Sequence, residues 1–158
     1  MNADLITPFI HATVNVLKTM GGTDPKPGAP SVKKGNRTWG VITGIIGMAG
    51  SDVTGSLVIS FDEPSILKIV SNMLMDDFKE INHDVVDAVG EITNMISGGT
   101  KSALSEKGYN FNMATPMMMT GKDIELAQLS KSPVISVPFT TDAGKFVVET
   151  HISKKAAS

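Results

Sequence analysis

The sequence predicts an α+β fold, a mostly antiparallel sheet with helices packed on one face, and three observations carry that prediction. β-Branched segments come in two pairs, each joined by a short turn containing glycine, as hairpins are. The stretches around them repeat apolar residues every three or four positions, as amphipathic helices do. The chain has 158 residues, 41% hydrophobic and 19% charged, which is enough to bury a core as one domain (1–158) without metal or disulfide staples.

Taken in order, Thr7 reads as an N-cap and Pro8 as the first residue of a helix that ends at Gly21, with Phe9, Ala12, Val16 and Met20 on one face. Residues 21–37, "GGTDPKPGAPSVKKGNR", are rich in Pro and Gly and carry four basic residues. They read as an extended surface connection whose charges are solvated rather than gathered into a binding patch. "TWGVITGIIGMAG" and "DVTGSLVISF" meet near Gly50 and Ser51 as the first hairpin.

Asp62 then caps a helix over 63–75 in which Ile66, Val70 and Met73 face inward. A longer helix runs from about 82 to 107 and is stopped by Gly108. "YNFNMATPMMMTG" is extended in character, and Pro116 suits an edge or a bulge because it cannot donate to a ladder. Its methionines, Met113, Met117, Met118 and Met119, read as core and filler rather than as catalytic groups. "SPVISVPFTT" and "GKFVVETHIS" flank "DAG" as a second hairpin, and "KKAAS", residues 154–158, reads as a flexible tail. Helix followed by paired strands occurs early and again late, an order compatible with a two-fold internal repeat of slight sequence identity.

Composition narrows the function classes. A net charge of -2 argues against a polyanion partner such as nucleic acid. The absence of cysteine excludes disulfides, thiolate metal sites and thiol nucleophiles. No apolar run is long enough to span a bilayer, and "MNADLITPF" lacks the pattern of a secretory signal, so a soluble cytoplasmic protein is expected.

The long helix has a polar side of unusual content. Asp84, Asp87, Glu91, Asn94, Gly98, Lys101 and Ser105 step by three or four and make one stripe, opposite an apolar stripe of Val85, Val89, Ile92, Ile96 and Ala103. Gly90, Gly98 and Gly99 each cost roughly 1 kcal/mol relative to Ala in a helix interior. Tight packing accounts for Gly90 and Gly99, whereas Gly98, on the outward stripe, removes bulk where another molecule comes close. His83, Asp84, Asp87 and Glu91 form neither a helical histidine pair nor a compact carboxylate loop, so no metal site is expected. Glu91 and Asn94 on a wet face are compatible with plain solubility. Asn94 also offers an acceptor and a donor in one neutral planar group, which can hold and orient a water molecule, and phosphoryl transfer depends mainly on positioning and charge stabilisation.

The run Asp87-x-x-x-Glu91-x-x-Asn94, followed by Pro116, resembles the signature of the CheC/CheX/FliY phosphatases of bacterial chemotaxis. "PFIHATVNVLKTM", "VITGIIGMAGSDVTGSLVISF" and "VVDAVGEITNMISGGTKSALSEKGY" resemble the CheX-like members in particular, in order and along nearly the whole chain. The residue three before Asn15 is Ala12, so the second Glu-x-x-Asn that CheC-like members carry on the first helix is missing and one active helix is implied.

The resemblance implies a phosphatase whose substrate is the aspartyl phosphate of a CheY-like response-regulator receiver domain in two-component signalling. The receiver would bring its own Mg²⁺ and a lysine, so no cofactor of this chain's own is implied. Asn94 would orient the attacking water, Glu91 would pair with the receiver lysine, and Asp87, Gly98, Lys101 and Pro116 would belong to the contact surface. A homodimer formed through the sheets is also implied. Two further readings stand beside this one: a non-enzymatic adaptor that binds a receiver, and a self-associating protein that adds "GKFVVETHIS" or "TWGVITGIIG" edge to edge.

Overall fold

Residues two apart in a strand share a face, and the two hairpins use this to line one side of a single sheet with apolar side chains. The computed structural model describes residues 3–51, 53–127 and 132–154. Its elements are α1 (Ala3–Thr19), β1 (Lys26–Pro27), β2 (Ser31–Val32), β3 (Ile42–Ala49), β4 (Val53–Phe61), α2 (Glu63–Leu74), α3 (His83–Glu106), β5 (Asn112–Met113), β6 (Met117–Thr120), β7 (Ile135–Thr140) and β8 (Lys145–Lys154). The strands form one antiparallel sheet in the order β1-β7-β8-β4-β3-β5, with β2 also paired to β7 and β6 to β3. The architecture is the expected α+β.

The helix-facing side of the sheet is built in cross-strand rows. Ile42, Phe61, Phe146 and Phe139 make one row. Within it the Phe61 and Phe146 rings lie 5.2 Å apart and the Phe139 and Phe146 rings 4.8 Å apart, inside the range favourable for aromatic pairs. The next row is Gly44, Ile59, Val148 and Val137, and the one after it Ile46, Leu57, Thr150 and Ile135. Onto these rows pack Leu5, Ile6, Phe9, Val16 and Leu17 of α1, Ile66, Ile69 and Val70 of α2, and Val85, Val89, Ile92, Ile96 and Leu104 of α3, all in one buried cluster.

Polar residues inside the helices are satisfied locally. Thr13, Thr93 and Thr100 are buried and donate to the carbonyls of Phe9, Val89 and Ile96, each four residues back, at 2.7, 2.7 and 2.8 Å. Asp62 caps α2 as expected, accepting from Ser65 N at 2.9 Å with one oxygen and from Lys145 N at 2.8 Å with the other. That second bond ties the cap to β8.

Several expectations are corrected. Thr7 is not a cap: α1 starts at Ala3 and runs through Pro8. A proline there removes the donor for the Asp4 carbonyl, and Lys107 Nζ at the far end of α3 donates to that carbonyl at 3.0 Å. The helix ends at Thr19, so Met20 falls past its last turn and is 45% exposed rather than sharing the buried face. The 21–37 connection contributes β1 and β2, and Lys33 departs from its solvated neighbours. Its Nζ reaches the 4% exposed Glu149 at 2.8 Å, on the face of the sheet away from the helices. "GKFVVETHIS" and "TWGVITGIIG" are not free edges: β8 lies between β7 and β4, and β3 between β4 and the β5 and β6 pair. The edges fall to strands of two to four residues, a length that limits unwanted strand addition. Of the expected tail, Lys154 is the last residue of β8, and 155–158 lie outside the described residues.

Candidate functional site

The polar stripe lies on α3. Asn82 caps the helix by accepting from Val85 N at 3.1 Å, and Gly108, at φ +90°, ends it in a conformation that glycine adopts without strain. Val85, Val89, Ile92 and Ile96 are buried, Ala103 is half-buried, and Asp84, Asp87, Glu91, Asn94, Gly98, Lys101 and Ser105 are all exposed. At 1.5 Å per residue this exposed line runs about 30 Å.

What holds α3 down is close approach at glycines. Gly90 is buried, and a Cβ there would stand 2.9 Å from Met118 Sδ on β6. Gly99 faces α1, with Ala12 Cβ at 3.3 Å from the same hypothetical atom. Gly44 on β3 leaves the gap in its row into which Thr93 settles, since any Cβ there would overlap Thr93 Oγ1. Gly98 is different. Nothing lies within 4 Å of the position its Cβ would take, so the missing side chain clears open surface rather than a packing contact.

The carboxamide of Asn94 makes no hydrogen bond to any described residue. Ser97 Oγ donates to its backbone carbonyl, not to the carboxamide, at 2.9 Å. One turn earlier, Glu91 has no ion pair among the described residues, and neither has Asp87. Residues three apart on a helix stand about 5–6 Å apart at Cβ, so Glu91 and Asn94 present an anion and a neutral donor-acceptor side by side. Asp84 lies 3.5 Å from His83 Nε2, a pair on the exposed first turn. Among the described residues no group of three or more His, Cys, Asp or Glu could hold a metal, and no helix is long and apolar enough to cross a membrane.

Lys101 is exposed two turns beyond Asn94 and, with Ser105, borders a recess of about 360 Å³ completed by Gly50, Ser51, Asn110, Phe111 and Asn112. No single stretch of the sequence marks this recess, because its walls come from three separate segments. Pro116 stands just before β6 and is half-buried. It precedes the strand that carries Met118 and does not line the recess.

The chain matches the family model for the chemotaxis phosphatase CheX over residues 42–140. Among solved structures it resembles a CheC-like superfamily protein from Shewanella sp. PV-4, with 44% identity, coverage of 97% of this chain and 99% of that one, and a TM-score of 0.90. It also resembles the Borrelia burgdorferi CheX-CheY-BeF3-Mg²⁺ complex at 26% identity, covering 98% of this chain and 100% of that one, with a TM-score of 0.78. The CheY-P phosphatase CheX of Thermotoga maritima is 26% identical over 127 residues, 80% of this chain and 81% of that protein.

Proposed function

Because the chain belongs to the CheX family of chemotaxis phosphatases, we propose that it hydrolyses the aspartyl phosphate of a CheY-like receiver domain, with Asn94 as the water-orienting residue and Glu91 as the docking residue. The observation that carries this reading is the free carboxamide of Asn94, exposed beside Glu91 on a helix whose opposite side is anchored in the core. A Thermotoga relative named as a CheY-P phosphatase and a Borrelia relative solved with CheY support the choice of substrate.

The chemistry asks little of the chain. Water attacks phosphorus in line with the bond to the aspartyl oxygen, that bond breaks, the aspartate leaves as carboxylate, and both water protons end on the released phosphate. No general base is required. The Asn94 amide oxygen accepts one hydrogen of the water and so directs a lone pair at phosphorus. The gain needed is modest: about 100-fold corresponds to about 2.7 kcal/mol, within reach of placing one water correctly.

Glu91 cannot share that task. Two like charges ~4 Å apart repel by about 4 kcal/mol at an effective dielectric of ~20, so an unpaired carboxylate beside the phosphoryl group would slow the reaction. Paired with a lysine of the receiver, it instead docks α3 and fixes Asn94 at the phosphate. Mg²⁺ comes with the receiver. Asp87, Gly98, Lys101 and Pro116 border the contact.

Phosphate release from a receiver charged with acetyl phosphate, followed with and without this chain, tests the reading. Accelerated release that is lost in Asn94→Ala is expected. Binding without acceleration would reduce the chain to a receiver-binding adaptor.

A further inference from the structure

The exposed line on α3 changes sign along its length. Asp84, Asp87 and Glu91 occupy its first half, Asn94 and Gly98 are neutral, and Lys101 follows. Lys101 has no ion pair among the described residues, and it opens onto the recess of about 360 Å³. None of the described residues lining that recess is acidic. Ser105 Oγ donates to Asn110 Oδ1 at 3.2 Å, which commits that oxygen and leaves the Asn110 amide hydrogens to a visitor.

The walls are fixed. Gly50 fits against the Asn110 carbonyl only because it has no Cβ, and its N–H donates to Val53 O at 2.8 Å. Asn112 is paired opposite Ala49 in the ladder. An unpaired cation and amide donors describe a seat for a carboxylate.

We infer that this recess is a second docking point, taking an Asp or Glu side chain of the same receiver domain whose acyl phosphate meets Asn94, with Lys101 as a positioning residue. The inference rests on the proposed function. A single ion pair at Glu91 leaves the visitor free to rotate about that contact. A second pair of opposite polarity, ten residues and about 15 Å along the helix, removes the rotation that would swing the phosphorus out of line with the water. The order acid, amide, base also admits a partner in one orientation only.

Phosphate release as a function of receiver concentration, together with the dissociation constant of beryllium-fluoride-loaded receiver, tests this in the wild type, Lys101→Gln and Lys101→Glu. Charge reversal is expected to raise KM and Kd about tenfold, with the neutral variant between, as for a close charge pair across an interface, and to lower kcat as well, because the loosened complex loses the in-line alignment. Carbodiimide treatment of the native complex should join the Lys101 amine to a receiver Asp or Glu as an amide, with loss of water. Unchanged KM and Kd in Lys101→Glu, or a Lys101 amine that couples to no receiver carboxylate, would overturn the inference. Receiver binding that depends on Lys101 without accelerated release would uphold it and remove the catalytic reading. Accelerated release that is indifferent to Lys101 does the reverse, and a wild type that binds no receiver overturns both.

Discussion

Thr93 rests on Gly44: the helix that carries the site sinks into the one place in its cross-strand row where the sheet has no side chain, and a methyl there would overlap the threonine hydroxyl. Gly44→Ala should therefore lift α3 or push Thr93 off its bond to the Val89 carbonyl, at a cost of about 1–3 kcal/mol. Gly98→Ala has open space before it and should stabilise the helix by up to about 1 kcal/mol. It should also weaken receiver binding, because it adds bulk to the docking line. Thermal melts of both variants check the opposite signs; a stabilised Gly44→Ala would contradict the packing described.

Asn94→Ala and Glu91→Ala should fail in different ways. On the proposed roles, the first should lose the oriented water and drop kcat by about 100-fold or more with receiver affinity nearly kept. The second should remove the proposed docking charge, raising Kd as well as lowering activity. Titrations with beryllium-fluoride-loaded receiver separate the two, and parallel losses of affinity in both variants would remove the division of labour.

The Lys33 and Glu149 pair should matter for stability and not for chemistry. Its side chains are 12% and 4% exposed, and they join at 2.8 Å on the sheet face opposite α3. Lys33→Ala strands a buried carboxylate and should cost about 3 kcal/mol, whereas replacing both partners by apolar residues should cost less. Denaturant midpoints measure both, and kcat should not change in either.

His151 supplies a pH dependence. Burial holds its imidazole below the ordinary value of 6.5, and Nδ1 lies 3.0 Å from Ser56 Oγ. With the folded value depressed, the unfolded chain takes up the proton first as the pH falls. The stability contributed by the neutral, half-buried ring is thus complete above about 6.5, falls below it, and levels off once the folded form protonates. The melting temperature should decline through that window, and His151→Gln should remove its share of the decline.

Where local chemistry decides, the sequence was readable. The two hairpins, the Asp62 cap, the stop at Gly108 and the division of α3 into wet and dry sides all appear as expected. What escaped depends on residues far apart in the chain. Thr-Pro is an ordinary helix opening, and the donor that reaches the Asp4 carbonyl in place of the missing Pro8 N–H comes from Lys107, 103 residues away. The partner of Lys33 lies 116 residues on. The recess needs the β3 to β4 turn, the end of α3 and β5 together. Gly44 did leave a signal: a glycine at an inward strand position marks close approach by another element.

Glu91 and Asn94 project from a single unbroken helix, so their spacing is set by helical pitch and owes nothing to how separate loops happen to meet. Moderate loosening of the surrounding domain should accordingly reduce the number of working molecules well before it alters the turnover of those that remain. Selection can then tune the abundance of this protein through its core while the reaction it performs stays the same.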